Sequence, residues 1–195
     1  MMSKHIAGLT AMAVAMLALS ACGTTAAARF YMLSSTATAA SAPAPNLTVI
    51  VGPVAIPATV DRPEFVTARG SNSVDVDAFN RWAEPLNDGI ARAVAGDLQA
   101  LLGGSTVAVA PLANFTPMYR VTLRVQRFES VFDSSVLIDA VWVVRKEAGG
   151  EAHSGHTLAR ETLSGGGFDA LAAAHSRALA TISADIAAAI RAVAT

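Results

Sequence analysis

Phe168-Asp169-Ala170-Leu171-Ala172-Ala173-Ala174-His175-Ser176-Arg177-Ala178-Leu179-Ala180-Thr181-Ile182-Ser183-Ala184-Asp185-Ile186-Ala187-Ala188-Ala189-Ile190-Arg191-Ala192-Val193 decides the architecture of this chain. Phe168, Leu171, His175, Leu179, Ile182, Ile186, Ile190 and Val193 recur in steps of three or four, so one apolar stripe runs the length of a long amphipathic helix. A helix with a single apolar stripe needs something flat to cover it. The preceding residues supply it: Thr157–Leu163 reads as a strand, Lys146–Glu151 with Gly149-Gly150 as a turn, and Val136–Val144 as a more continuously apolar strand. Before these, Tyr119, Val121, Leu123 and Val125 alternate with Arg120, Thr122, Arg124 and Gln126, a strand with one wet face. The alternation changes phase at Arg127-Phe128, the signature of a β-bulge.

Moving further towards the N-terminus, Thr106–Ala110 is a short strand, and Leu86, Ile90, Val94, Leu98 and Leu101 lie at helical spacing. Gly103-Gly104 ends that helix, and Pro85 suits its first turn. Phe65–Arg69 and Ser73–Val76 flank Gly70-Ser71-Asn72 as a hairpin. Leu47–Val54 is apolar nearly throughout, a strand buried on both faces, with Pro53 and Pro57 limiting it. Residues 34–46 are small, uncharged and rich in Ala, Ser and Pro, an exposed linker or loop. Arg29–Leu33 is one more short strand. Strands, helix, strands, helix predict an α/β fold: a mixed β-sheet with two main amphipathic helices packed on it, in a single compact domain.

The opening segment has a different job. Lys4 and His5 precede an apolar run from Ile6 to Leu19, and Leu19-Ser20-Ala21-Cys22 follows. A basic flank, a short apolar core and small residues at the cut define a secretory signal peptide, and the run falls short of the roughly 20 residues a membrane span needs. Leu-Ser-Ala-Cys resembles the lipobox of bacterial lipoproteins. That likeness implies cleavage before Cys22, diacylglycerol on its thiol and further acyl chains such as palmitate, so Cys22 is the lipid-attachment residue. Two or more chains hold a protein firmly where one holds it marginally. Gly23 stands where an Asp favours inner-membrane retention, so the resemblance implies the periplasmic face of the outer membrane of a Gram-negative bacterium. The organisation expected is 1–21 signal peptide, 22–46 lipidated N-terminus with short strand and linker, and 47–195 α/β domain.

Removing residues 1–21 from the 195 leaves 174, a fitting size for one domain. Fourteen Lys+Arg less Lys4 leave 13 against 15 Asp+Glu, a formal charge of −2, which gives no electrostatic footprint for nucleic acid. Cys22 is the only cysteine, so no disulfide supports the fold and burial must.

Catalytic patterns are missing. His153-Ser154-Gly155-His156 spaces two imidazoles for a metal but offers no third or fourth ligand, and it reads as a solvated Gly/Ser turn. His175 lies on the apolar stripe without a partner residue in view and reads as a core-edge histidine satisfied by a local hydrogen bond. Ser164-Gly165-Gly166-Gly167 could face an anion at a helix N-terminus but lacks the Lys and Ser/Thr of a P-loop, so it reads as a joint. No G-x-S-x-G elbow occurs. No enzyme, no metal and no cofactor beyond the covalent lipid are expected. Two clusters remain: Asp61-Arg62-Pro63-Glu64-Phe65, and Arg81-Trp82-Ala83-Glu84-Pro85 at a helix start. One reading is a salt-bridged turn and a cap with a packed Trp82; the other is a contact surface through Asp61, Arg62, Arg81, Trp82 and Glu84, since Trp and Arg anchor interfaces.

Several pieces occur in a characteristic order behind the lipobox. They are Phe30-Tyr31-Met32-Leu33, Val51-Gly52-Pro53-Val54 with Ile56-Pro57, Asp61-Arg62-Pro63-Glu64-Phe65-Val66-Thr67 and Arg81-Trp82-Ala83-Glu84-Pro85-Leu86. Tyr119–Phe128 follows, and Ala174-His175-Ser176-Arg177-Ala178-Leu179 leads into Asp185-Ile186-Ala187. Together they resemble the auxiliary lipoproteins of ABC-type intermembrane transport systems, of which the Pqi (paraquat-inducible) type is the named example. The resemblance implies a compact α/β domain, no catalysis, and a docking role for a periplasm-bridging protein that carries MCE domains and works with a permease and an ATPase. It also allows ring-like homo-oligomers. A stand-alone lipoprotein that binds a lipid or other apolar ligand, or a structural envelope lipoprotein, is the alternative.

Overall fold

The computed structural model describes residues 26–39 and 46–194. Cys22, the signal segment and residues 40–45 lie outside the described residues. In chain order the elements are β1 Arg29–Tyr31, β2 Thr48–Ala55, β3 Glu64–Ala68, β4 Val74–Trp82, α1 Leu86–Leu101, β5 Thr106–Val109, β6 Tyr119–Val131, β7 Ser135–Lys146, β8 His153–Thr162 and α2 Gly167–Ala194.

Strand β6 is the spine of an eight-stranded mixed sheet. Along one edge it runs antiparallel to β7, and β7 is antiparallel to β8. Its other edge is shared. Tyr119–Arg124 pairs in parallel with β2, which carries β5 on its far side. At the far end Val131 pairs with Ala68 of β3, and the sheet continues through β4 to β1. The sheet therefore forks around β6. Helix α1 lies over β2 and β5, α2 lies over β7 and β8, and the helices pack on each other, giving the two-layer α/β domain that the element order predicts.

The alternation in β6 sets which face is wet. Tyr119, Val121, Leu123 and Val125 are buried beneath the helices, while Arg124 and Gln126 point to solvent. The phase shift falls where expected: Gln126 and Arg127 together oppose Asp139, and burial resumes at Phe128 and Ser130. Leu171, His175, Leu179, Ile182, Ile186 and Ile190 of α2 are each 0 % exposed. Every aliphatic side chain so buried contributes about 1.5–3 kcal/mol, which is how a chain without disulfides holds together.

Three local expectations change. β4 continues through Arg81 to Trp82, so these residues end a strand and do not begin a helix. Backbone pairing keeps the chain extended there, with the Trp82 N–H on the Pro63 carbonyl (2.7 Å) and the Ala83 N–H on the Tyr31 carbonyl (2.9 Å). Pro85 stands just outside α1 as its N-cap. His153-Ser154-Gly155-His156, read as a turn, is the first part of β8. Gly155 belongs in that strand because it sits under the Trp142 ring, where an added Cβ would lie 2.1 Å from the indole. Finally, Ser34–Ala37 is exposed loop as expected but is tied to the helices. The Ser34 N–H donates to Ser176 Oγ at 3.1 Å, and the next three residues all donate to Asp97.

Candidate functional site

The two clusters singled out in the sequence meet at one corner. Glu64 opens β3 opposite Arg81 near the end of β4, and their side chains form an ion pair at 3.4 Å. Pro63 receives the Trp82 amide, while β1 runs alongside with Phe30 beside Arg81 and Tyr31 beside Trp82. Asp61 and Arg62 project from the exposed loop just before β3. Three segments far apart in sequence thus build one surface feature, with Asp61, Arg62 and Arg81 on its outer side.

Trp82 and Glu84 face the other way. Trp82 is 6 % exposed; its ring stacks on Phe65 at 4.1 Å and meets Phe128 and His175 edge-on. It is a core group. Glu84 forms an ion pair with Arg92, and Arg92 also donates to the Leu33 carbonyl at 2.9 Å. That carboxylate locks the start of α1 to the segment after β1.

His175 lies deeper than a core edge. Its ring is 0 % exposed and parallel to Phe128 at 3.9 Å. Nε2 is 2.8 Å from Ser130 Oγ, a partner on β6 and not a local one, while Nδ1 has no partner among the described residues. Burial pushes its pKa down to about 3, because the charged imidazolium cannot be hydrated there. At neutral pH it is an uncharged member of an aromatic cluster.

Sequence reading missed Asp97, a carboxylate 0 % exposed. One oxygen accepts from Ser35 Oγ (2.8 Å), the Thr36 N–H (2.8 Å) and the Ala37 N–H (2.9 Å). The other accepts from Ser183 Oγ at 3.1 Å. The available signal was its position: Asp97 falls seven residues after Ile90 and three after Val94, inside the buried stripe of α1. Gly96 beside it admits the strap, since a Cβ there would lie 2.8 Å from Ser35 Cβ.

The remaining candidates are accounted for. His153 and His156 project from opposite faces of β8, as an odd spacing in a strand requires; His153 approaches Trp142 and His156 bonds Asp139 at 2.7 Å. They cannot share an ion. No group of three metal-ligating side chains occurs among the described residues. At the glycine joint, Asp133 accepts the Gly167 N–H at 3.0 Å, so a protein carboxylate already occupies this anion position. No helix among the described residues is long and apolar enough to cross a membrane.

Residues 31–187 match the family model described as ABC-type transport auxiliary lipoprotein component. The chain belongs to that family. The match starts at Tyr31 of β1 and ends within α2, so this auxiliary lipoprotein domain takes in the Asp61–Phe65 and Arg81–Leu86 segments of the corner, the aromatic cluster and the Asp97 clamp. Solved structures share its fold. One, of a protein described only as uncharacterized, is 22% identical, covers 85% of this chain and 99% of its own, and superposes with a TM-score of 0.70. A Xanthomonas campestris protein of the DUF330 family is 18% identical, with 84% and 95% coverage and a TM-score of 0.69. The curated proteins contain no match to this chain.

Proposed function

We propose that this auxiliary lipoprotein is a non-enzymatic docking component of an MCE/ABC-type intermembrane lipid transport system. It is held by lipid on Cys22, with no other cofactor, at the periplasmic face of the outer membrane, and it receives the periplasm-spanning MCE-domain protein whose permease and ATPase supply the energy. Membership of a transport auxiliary family supports a role beside a transporter. The observation that carries the docking part is the corner itself: the Phe-Tyr-Met-Leu, Asp-Arg-Pro-Glu-Phe and Arg-Trp-Ala-Glu-Pro-Leu segments converge there, leaving Asp61, Arg62 and Arg81 outermost. Charged groups at such a rim set partner choice and encounter rate.

The test is mild-detergent affinity purification of the full-length protein from its own host, read by mass spectrometry, beside Arg62→Glu and Arg81→Glu. An MCE-domain protein recovered with the parent and lost with Arg62→Glu, at unchanged melting temperature, is the expected result. Arg81→Glu loses the partner too, at some cost in stability because Glu64 then faces a like charge. Recovery of the protein alone, or of retained lipid without a partner, overturns docking in favour of a stand-alone ligand-binding or structural lipoprotein.

A further inference from the structure

The sheet has two ends, and they differ in aromatic content and in distance from Cys22. One end gathers the start of β1, the β6–β7 turn and the joint into α2. Ala26, Phe79 and Phe168 line one groove there. Phe168 also lines a second with Val76 and Phe132, and the Phe132 and Phe168 rings are 5.3 Å apart. Phe168 thus joins the two grooves into one patch. Within it Phe79 is 44 %, Phe132 46 % and Val76 44 % exposed. Isolated exposed apolar residues are ordinary, whereas a contiguous patch marks a contact surface.

Chain length says what covers it. Only Gly23–Thr25 separate Cys22 from Ala26, and four Cα steps reach at most about 14 Å. The opposite end, where exposed Leu112 and Met118 lie, is beyond that reach, because the 13 residues of β6 separate the ends by roughly 40 Å at about 3.3 Å each. Three of the local acids are engaged by the protein: Asp75 with Arg69 at 2.9 Å, Asp77 with the Phe79 and Asn80 amides at 2.8 Å each, and Asp133 with Gly167; the fourth, Asp169, is exposed on the first groove, which Arg29 also lines.

We propose that this end is a membrane-contact surface, with Phe79 and Phe132 seated in the interface of the same bilayer that holds the Cys22 lipid. The proposal rests on the reading of Cys22 as the anchor. Exposed phenylalanine side chains suit the boundary between headgroups and acyl chains, and the three-residue spacer Gly23–Thr25 keeps them close to the lipid that anchors the chain. The contact also fixes orientation, with the Leu112/Met118 end pointing away from the membrane.

Cys22 is the only cysteine, so a lipidated chain leaves an introduced thiol as the sole labelling site. Full-length lipidated Phe79→Cys and Phe132→Cys, with Leu112→Cys as control, are labelled with an environment-sensitive fluorophore. They are then reconstituted in vesicles of phosphatidylethanolamine and phosphatidylglycerol. The expected result is blue-shifted emission at 79 and 132, quenched by lipids spin-labelled in the acyl region, and water-like emission at 112. Water-like emission at 79 and 132 while Cys22 of the parent resists thiol reagents overturns the membrane contact alone. A blue shift without lipid quenching overturns it in favour of a second copy of the chain. Labelling of the parent at Cys22 overturns the anchor and the proposal together.

Discussion

Asp97 and His175 are both 0 % exposed, yet burial asks different things of them. Asp97 is surrounded by donors, so Asp97→Asn puts an amide N–H₂ where at least one N–H or O–H needs an acceptor. A loss of about 2–3 kcal/mol is expected in chemical denaturation, since hydrogen bonds to a buried charged group are worth about that, with faster hydrogen exchange at the Thr36 and Ala37 amides. His175 is held neutral. Its folded pKa, about 3, lies below the unfolded value of about 6.5, so between those values the unfolded chain binds the extra proton and stability rises with pH. Above about pH 6.5 no penalty applies, and below it each unit of acidification down to about pH 3 costs roughly 1 kcal/mol. Denaturant titrations between pH 7 and 4 should show this slope, and His175→Leu should flatten it while lowering stability at pH 7 by stranding Ser130 Oγ.

Among the elements, β7 and β8 are joined by the contact of Trp142 with Gly155. Gly155→Ala drives a methyl group into the indole, and overpacking of this kind costs about 1–3 kcal/mol, read as a lower melting temperature with native secondary structure retained. Leu179→Ala on α2 should cost more, about 2–5 kcal/mol, because Leu179 is wholly buried. Helix α2 and strand β6 were the elements most legible in the sequence. Period decides them: steps of three and four in α2, alternation in β6, and a phase break marking the bulge between Val125 and Arg127. What periodicity could not reveal were features fixed from outside the element. Gly155 and the histidines beside it look like turn residues until Trp142 is seen above them. Arg81-Trp82 looks like a helix start until Pro63 and Tyr31 are seen pairing with it. The composition of the Asp61 and Arg81 clusters flagged them, but only the β3–β4 register brings them together. The role of Asp97 was hidden because its partners come from a loop about 60 residues away.

For the whole molecule, the segment before β2 is part of the core. Tyr31 and Leu33 are buried, and Tyr31 packs edge-on against Phe65 at 5.4 Å. A chain beginning at Asn46 should therefore lose cooperative thermal unfolding and bind a hydrophobic dye, whereas one beginning at Ala26 should melt as the mature domain does. The same arrangement governs how the domain bears load. Any tug reaching Ala26 along the axis of β1 acts parallel to the β1–β4 ladder, so its bonds are sheared together and not unzipped one after another. Behind them in series lie the Tyr31 hydroxyl on Asn80 Oδ1 (2.8 Å), Arg92 on the Leu33 carbonyl and the Asp97 clamp. A domain tethered at one end and pulled at the other thus resists traction through its shortest strand, with the force passed directly into both helices.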